Sequence, residues 1–513
     1  MPVRERSHER NAGVRPATYL IFFASFALIV YLTHAPYLNL PYFWDELGQF
    51  VPAALDIYHD GAWVPHSAVP NAHPPGVMAY LALVWWLFGY SIIGTRAAML
   101  LLATLTILVT FLLAIHLCRG RRGAPAFAPV LLLMLDPLFY MQGMMAQLDM
   151  PAMLFTILAL LLFFEERYKF AALACTALVL AKETGALLPL ILGATLLFDR
   201  TRAKSAAYYV VPFLVLAVWF FALWRATGHL FGDAGFTHYN LGYALHPVRA
   251  ALCLIRRFYY LFIADFRWVG AIAIWLAWRK TAVFASRAWK ITCSFFAAHV
   301  VMVSVLGGAE LERYLLPALP LLYIAMAAAW SESRRLFRHV GLALVSAGLI
   351  LGLFLNPPYP FPFENNLAMV DFIELHRDAA EFLEKSEHSR PIYTAWPLTA
   401  ALRNPVFGYV SRPLTAIETS DFRRSTLAAL DPSSVGVLVV YSRTWEPDWG
   451  VLQIPFITKF LGRFYEYEPQ MTAEQIEQRF GLSQIRRWTQ RGQWIEVYER
   501  PPVRNQSGGL QKP

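Results

Sequence analysis

Charge is scarce in this 513-residue chain. Asp, Glu, Lys and Arg make up 15% of it, where a soluble protein carries about 25%. That excludes a disordered chain and a charge-laced coiled coil. Cysteine is scarce too. Cys118, Cys175, Cys253 and Cys293 are scattered and form no CxxC pair, which argues against a disulfide scaffold or a zinc site. There is no internal repeat of the transporter kind, and the one low-complexity stretch is the short end after Pro501.

What fills the chain is apolar. Hydrophobic residues reach 57%, aromatics 15% and mean hydropathy +0.43, which excludes an ordinary soluble enzyme. The net charge of +9 is unevenly spread: residues 356–513 hold 17 basic and 18 acidic residues, and residues 1–355 hold 27 and 17. The basic excess therefore belongs to the hydrophobic part. It reports membrane topology and gives no support for nucleic acid as a partner. Two domains are expected, a membrane body over 1–355 and a tail of soluble composition over 356–513.

A bilayer core takes about 20 apolar helical residues. Windows of that size predict eleven spans, near 17–35, 92–118, 124–140, 150–165, 170–182, 184–199, 206–225, 257–278, 291–307, 314–330 and 339–355. The span at 257–278 is the least regular, with Asp265 and Arg267 inside it. The first is too long for a signal peptide and lacks an A-x-A cleavage site.

The connectors alternate in charge. Arg4, Arg6, Arg10 and Arg15 precede the first span. Arg119, Arg121 and Arg122, Arg167 and Lys169, and Arg200, Arg202 and Lys204 follow the second, fourth and sixth. Arg279, Lys280, Arg287 and Lys290 follow the eighth, and Arg334, Arg335 and Arg338 the tenth. Together these are 19 of the body's 27 basic residues. By the positive-inside rule that side is cytoplasmic. The expectation is a multi-pass protein of the plasma (bacterial inner) membrane, with a cytoplasmic N-terminus and the tail outside. Within the tail, 367–386 has a helical pattern, Ile392–Trp396 and Val435–Tyr441 read as buried strands, and Trp494–Tyr498 as an edge strand. A small α/β domain follows, read as a cap over the membrane site; it holds no nucleotide loop or catalytic motif.

The outer connectors hold most of the body's acids. The first, about 36–90, carries Trp44-Asp45-Glu46, an amphipathic stretch Phe50–His59 suited to a membrane surface, and His73-Pro74-Pro75-Gly76. Carboxylates near the interface can have pKa values raised to suit a general base; they can equally cap a surface helix. Asp149, before Met150-Pro151, is a good helix start and can also face the cavity of Asp45. Lys182, in Lys182-Glu183-Thr184-Gly185, and Arg313, in Glu310-Leu311-Glu312-Arg313-Tyr314, are cations on the acidic side. An anionic ligand such as a phosphate accounts for them; so do local pairs with Glu183, Glu310 or Glu312. Arg96 reads as interfacial. His59, His66, His238 and His246 share no metal-ligand spacing.

In order and sidedness these motifs resemble one family: the acidic pair, His-Pro-Pro with Tyr80-Leu81-Ala82-Leu83 and Arg96, Leu148-Asp149-Met150-Pro151, Ala181-Lys182-Glu183-Thr184-Gly185, and Arg313-Tyr314-Leu315-Leu316-Pro317. Over about residues 36–330 the chain is similar to the GT-C glycosyltransferases of family 39-like type, the protein-mannosyltransferases and aminoarabinose transferases. The resemblance implies a polytopic α-helical membrane protein of GT-C type, with about eleven transmembrane helices and a C-terminal extracytoplasmic α/β domain. It implies an inverting transfer from a polyprenyl-phosphate-sugar donor to a lipid, glycan or protein acceptor. Asp45 falls on the catalytic carboxylate, with Glu46 beside it, and Asp149 on the second acidic position. His73, Tyr314 and Arg96 support, and Lys182 and Arg313 are candidates for the donor phosphate. No cofactor is certain; a divalent cation, Mg or Mn, on Asp45 and Asp149, with Glu46 near, stays open. In aminoarabinose transferases an arginine closely follows the acidic pair; here Gly48 and Gln49 stand there. The competing class is a transporter or flippase of lipid-linked envelope precursors, which places ionisable groups near mid-membrane.

Overall fold

The computed structural model describes residues 16–120, 126–386, 390–446 and 449–501. Arg4, Arg6, Arg10, Arg15, Arg121 and Arg122 lie outside the described residues. Among the described residues six helices are long and apolar enough to cross a membrane: Ala17–Tyr37, Ile92–Leu117, Ala203–Thr227, Arg287–Val305, Glu312–Ser331 and Arg335–Phe354. A bent pair adds at most a seventh, and Gly76–Phe88, Asp149–Phe164, Tyr168–Ala181 and Glu183–Leu197 are shorter apolar helices. Their outward faces carry large apolar side chains, such as Leu20, Leu28 and Leu32 on the first helix, a surface suited to lipid. The chain is a polytopic helical membrane protein.

Two expected spans are not continuous. The one at 124–140 breaks where helix Phe127–Leu135 meets Pro137. Asp136 caps the next helix, Pro137–Gln142, accepting from the Leu138 N–H at 2.9 Å and the Phe139 N–H at 3.1 Å. The one at 257–278 is two helices, Pro247–Phe262 and Arg267–Lys280, meeting at 90°. Its two charges are the reason. Arg267 is fully buried; its Nη2 donates to Asp136 at 2.7 Å and its Nη1 to Asp265 at 2.8 Å. Tyr323 donates to the same Asp136 oxygen at 2.5 Å. A buried charge needs such partners, and the chain turns to supply them, with Asp265 and Phe266 at φ +51° and +60°. Gly348 leaves room for the turn, since a Cβ there would collide with the Asp265 carbonyl.

The amphipathic stretch after Asp45 does not float on a surface. Helix Val51–Asp60 buries Val51, Ala54 and Ile57 and packs against helix Gly76–Phe88.

The C-terminal part follows helix Arg335–Phe354. Helix Ala368–Lys385 packs on a five-stranded sheet of β1 (Ile392–Ala395), β2 (Ala416–Thr419), β3 (Val437–Tyr441), β4 (Ser483–Gln490) and β5 (Gln493–Glu499). The order is β2-β1-β3-β5-β4, parallel at β1/β2 and β1/β3 and antiparallel at β3/β5 and β5/β4. The strand expected at the edge, around Trp494–Tyr498, is therefore internal. The edge on that side is β4, whose polar sequence carries no strand signal and whose side chains are mostly exposed.

The sheet part sits on the membrane part through one shared core. The Tyr42 N–H donates to the Phe407 carbonyl at 3.2 Å, the Tyr409 hydroxyl to the Tyr42 carbonyl at 2.9 Å, and the Tyr90 hydroxyl to the Val406 carbonyl at 2.6 Å. Gly48 lies under the Trp396 indole, and a Cβ at 48 would meet its ring at 2.5 Å. The position after the acidic pair thus has no space for a side chain, and an arginine there would displace Trp396.

Candidate active site

Trp44 adopts φ +41° and turns the chain into the short helical segment Glu46–Phe50. Neighbouring side chains there leave in different directions. Asp45 makes no capping bond; its Oδ2 pairs with Arg313 Nη2. Glu46 turns into the protein and is fully buried. It accepts from Arg96 Nη1 at 2.5 Å and Nη2 at 3.0 Å, from the Phe43 N–H at 2.7 Å and from the Ala146 N–H at 2.6 Å. Arg96, also fully buried, donates as well to the Met144 and Pro41 carbonyls. So Glu46 and Arg96, grouped with the site in sequence, form a buried brace outside the cavity. Both Glu46 oxygens are taken, and neither residue lines the cavity.

Arg313 is the centre of the site. Besides Asp45 it reaches Gln147 Oε1 at 2.6 Å and Glu364 Oε2 at 3.0 Å through Nη1. Its Nε lies 3.3 Å from Asp149 Oδ2, off the hydrogen-bond direction. The local pairs weighed for it in sequence go elsewhere: Glu312 pairs with Arg256, and Glu310 with Arg249.

Asp149 opens helix Asp149–Phe164 without capping it. Its Oδ1 accepts from Lys182 Nζ at 2.5 Å, and that ammonium sits 4.2 Å from the Tyr314 ring centroid, a cation–π position. Lys182 therefore does not pair with Glu183, which instead meets His73 Nδ1 at 2.8 Å.

These groups line one cavity of about 730 Å³. Asp45, His73, Asp149, Lys182, Arg313 and Tyr314 all face it; Glu46 and Arg96 do not. Phe220, Phe231, Phe236, Val303 and Leu306 give the rest of the wall an apolar character. The cavity thus joins a charged end to a greasy channel.

Glu364 was not legible as a site residue. It follows the last long helix in Phe363-Glu364-Asn365, a run without a motif, yet it lines the cavity and holds Arg313. Burial pushes its carboxyl up to about 7, against the pull of Arg313. Gln147 is equally silent, and Glu183 reads in sequence only as a local partner for Lys182.

A divalent cation does not fit these residues. Asp45 and Asp149 already face cations, and Glu46 points away. Among the described residues the one group of carboxylate and imidazole ligand atoms close enough to share an ion is Asp56, Asp60 and His66. There Asp56 is taken by Ser67 Oγ at 2.6 Å and by the His66 and Ser67 N–H groups at 2.8 and 2.9 Å.

No family model matches the chain, and no curated protein matches it by sequence. Solved structures do. ArnT from Cupriavidus metallidurans, bound to undecaprenyl phosphate, aligns with 94% of this chain and 98% of its own at a TM-score of 0.54 and 15% identity. The archaeal oligosaccharyltransferase AglB from Archaeoglobus fulgidus, in complex with an inhibitory peptide and a dolichol-phosphate, aligns with 83% of this chain and 69% of its own at 0.51 and 12%. The fold is GT-C. A second A. fulgidus oligosaccharyltransferase structure, a complex with Zn and sulfate, aligns at a TM-score of 0.50 and 13% identity over 82% and 68% of the two chains. In this chain loop carboxylates and span-end cations meet in one chamber.

Proposed function

We propose that this chain is a membrane glycosyltransferase that moves a sugar from a polyprenyl-phosphate donor to an acceptor hydroxyl on a lipid, glycan or protein. The observation that carries the reading is the single cavity in which Asp45 and Asp149 meet Lys182 and Arg313 beside an apolar channel. The channel suits a polyprenyl chain and the charged end suits its phosphate. The undecaprenyl phosphate in the ArnT structure and the dolichol-phosphate in the AglB structure support that class of donor.

A phosphate-linked sugar is already activated, so the protein must supply a base, charge for the leaving group and geometry. Asp45, the most open of the carboxylates on Arg313, takes the proton of the acceptor hydroxyl. The acceptor oxygen attacks the anomeric carbon opposite the phosphate, the carbon–oxygen bond to phosphate breaks, and the configuration inverts. Arg313 and Lys182 receive the phosphate charge. Asp149 orients Lys182, Tyr314 supports its ammonium, and His73 with Glu183 borders the sugar. Residues 1–355 form the catalytic membrane domain and 356–513 a cap on the extracytoplasmic side, with the N-terminus in the cytoplasm; the alternating connector charge supports this orientation.

The test is reconstitution in liposomes with a radiolabelled polyprenyl-phosphate sugar. The expected products are labelled acceptor and free polyprenyl phosphate. Donor that crosses the bilayer intact, with no cleavage, would replace this reading with a flippase.

Lys182→Met is expected to raise KM for the donor about 10- to 100-fold, the worth of a charge-assisted contact, with a smaller change in kcat. Initial rates across donor concentrations measure it. An unchanged KM removes Lys182 from the phosphate site.

A further inference from the structure

Three carboxylates, Asp45, Asp149 and Glu364, converge on the one guanidinium of Arg313. Lys182 offsets Asp149, and Arg256 is held by Glu312. A donor phosphodiester would add another negative charge to a buried place, where unbalanced charge is costly. Protonation of one carboxylate as the donor arrives would offset that charge.

The three are not equivalent. Asp45 is the most open, its side chain 28% exposed, and Asp149 has two cations. The Glu364 side chain is only 5% exposed. Its Oε2 takes the Arg313 hydrogen bond, and its Oε1 has no partner. Other groups facing it work in the same direction. Asp45 from the first loop, Asp149 from the helix it opens and Glu312 beside Arg313 all favour the neutral form, and Arg313 alone among the main contributors opposes it.

We propose that Glu364 is a positioning residue that couples donor binding to the uptake of one proton, a statement that rests on the donor-phosphate reading above. With Glu364 charged, its carboxylate holds Arg313 Nη1. A solvent proton taken up on the free Oε1 discharges it and releases that donor to the phosphate; no other bond changes. Loss of the proton draws Arg313 back.

The test measures binding of farnesyl methyl phosphate to the full-length protein in detergent. This diester keeps a single charge from pH 6 to 8, so any slope belongs to the protein. Wild type is expected to bind about tenfold more weakly at pH 8 than at pH 6, as the binding-competent fraction falls. Glu364→Gln, a neutral isostere, is expected to bind tightly at both. Glu364→Asp keeps a titrating group and a slope. Calorimetry of wild type at pH 8 in two buffers of different ionisation enthalpy is expected to count about one proton taken up per diester, and needs no variant to fold. Equal affinity at both pH values with no proton uptake overturns the coupling and leaves the donor site standing. A slope retained in Glu364→Gln also overturns it, because it shows a merely structural role. No binding at either pH overturns the donor reading with it.

Discussion

Asp45→Asn is expected to fold, insert and bind the donor while losing sugar transfer by about 10²- to 10⁴-fold, the range for a lost general base. Asparagine has the size of aspartate, and its amide oxygen can still accept from Arg313 Nη2, the ion-pair partner of Asp45. What it cannot do is take a proton. The structure offers three other carboxylates in the chamber, Asp149, Glu183 and Glu364, so the comparison matters. Asp149→Asn is expected to act through donor affinity, because Asp149 holds Lys182. The measurement is kcat with labelled donor at saturating acceptor, beside Kd for the diester. Unchanged turnover in Asp45→Asn, with donor affinity intact, removes Asp45 from the role of base.

One residue along, the expected effect is of another kind. Glu46→Gln is expected to cost about 3–5 kcal/mol of stability, since it leaves the Arg96 guanidinium buried without its anion. That is a large share of the 5–15 kcal/mol typical of a folded domain. An amide nitrogen must also replace one of the oxygens that now accept from Arg96, Phe43 and Ala146. The visible result is a much lower yield of folded protein and a lower unfolding temperature in detergent, with or without donor. The double variant Glu46→Leu with Arg96→Met, which removes both charges, is expected to recover much of the loss. A Glu46→Gln protein that unfolds at the wild-type temperature would refute the brace.

Asp45 and Glu46 show what sequence could and could not convey. The adjacent pair is visible as a feature of the first long connector, and Asp149, Lys182 and Arg313 are visible too, because a charge at the end of an apolar run stands out. Which member of the pair faces the chamber is set by Arg96, fifty positions away, and adjacency is silent about that. Glu364 is silent for a related reason. Its meaning comes entirely from Arg313, and a lone acid at the start of a segment of soluble composition has no local mark. The long apolar helices are legible because about 20 lipid-facing residues leave a run that composition detects. The bend at Asp265 is half legible: the charges within the run stand out, but their partner Asp136 lies in another segment. In the sheet, β1 and β3 announce themselves as buried apolar runs. β4 hides because an edge strand can be polar, and so β5 reads in sequence as the rim.

The chamber has two sources. Asp45, Asp149, Lys182 and Arg313 come from before Phe354, whereas Glu364 and Arg443 come from after it, and Trp396 presses on the backbone beside the acidic pair. Such a chamber constrains descent. A change of side chain at position 48 is admissible only with a change at 396, and a new charge at 313 only with an answer at 364. Two lineages that drift in one half alone therefore become incompatible as chimeras, even where each half keeps its shape. A chimera joined at residue 355 would inherit walls and roof from different histories.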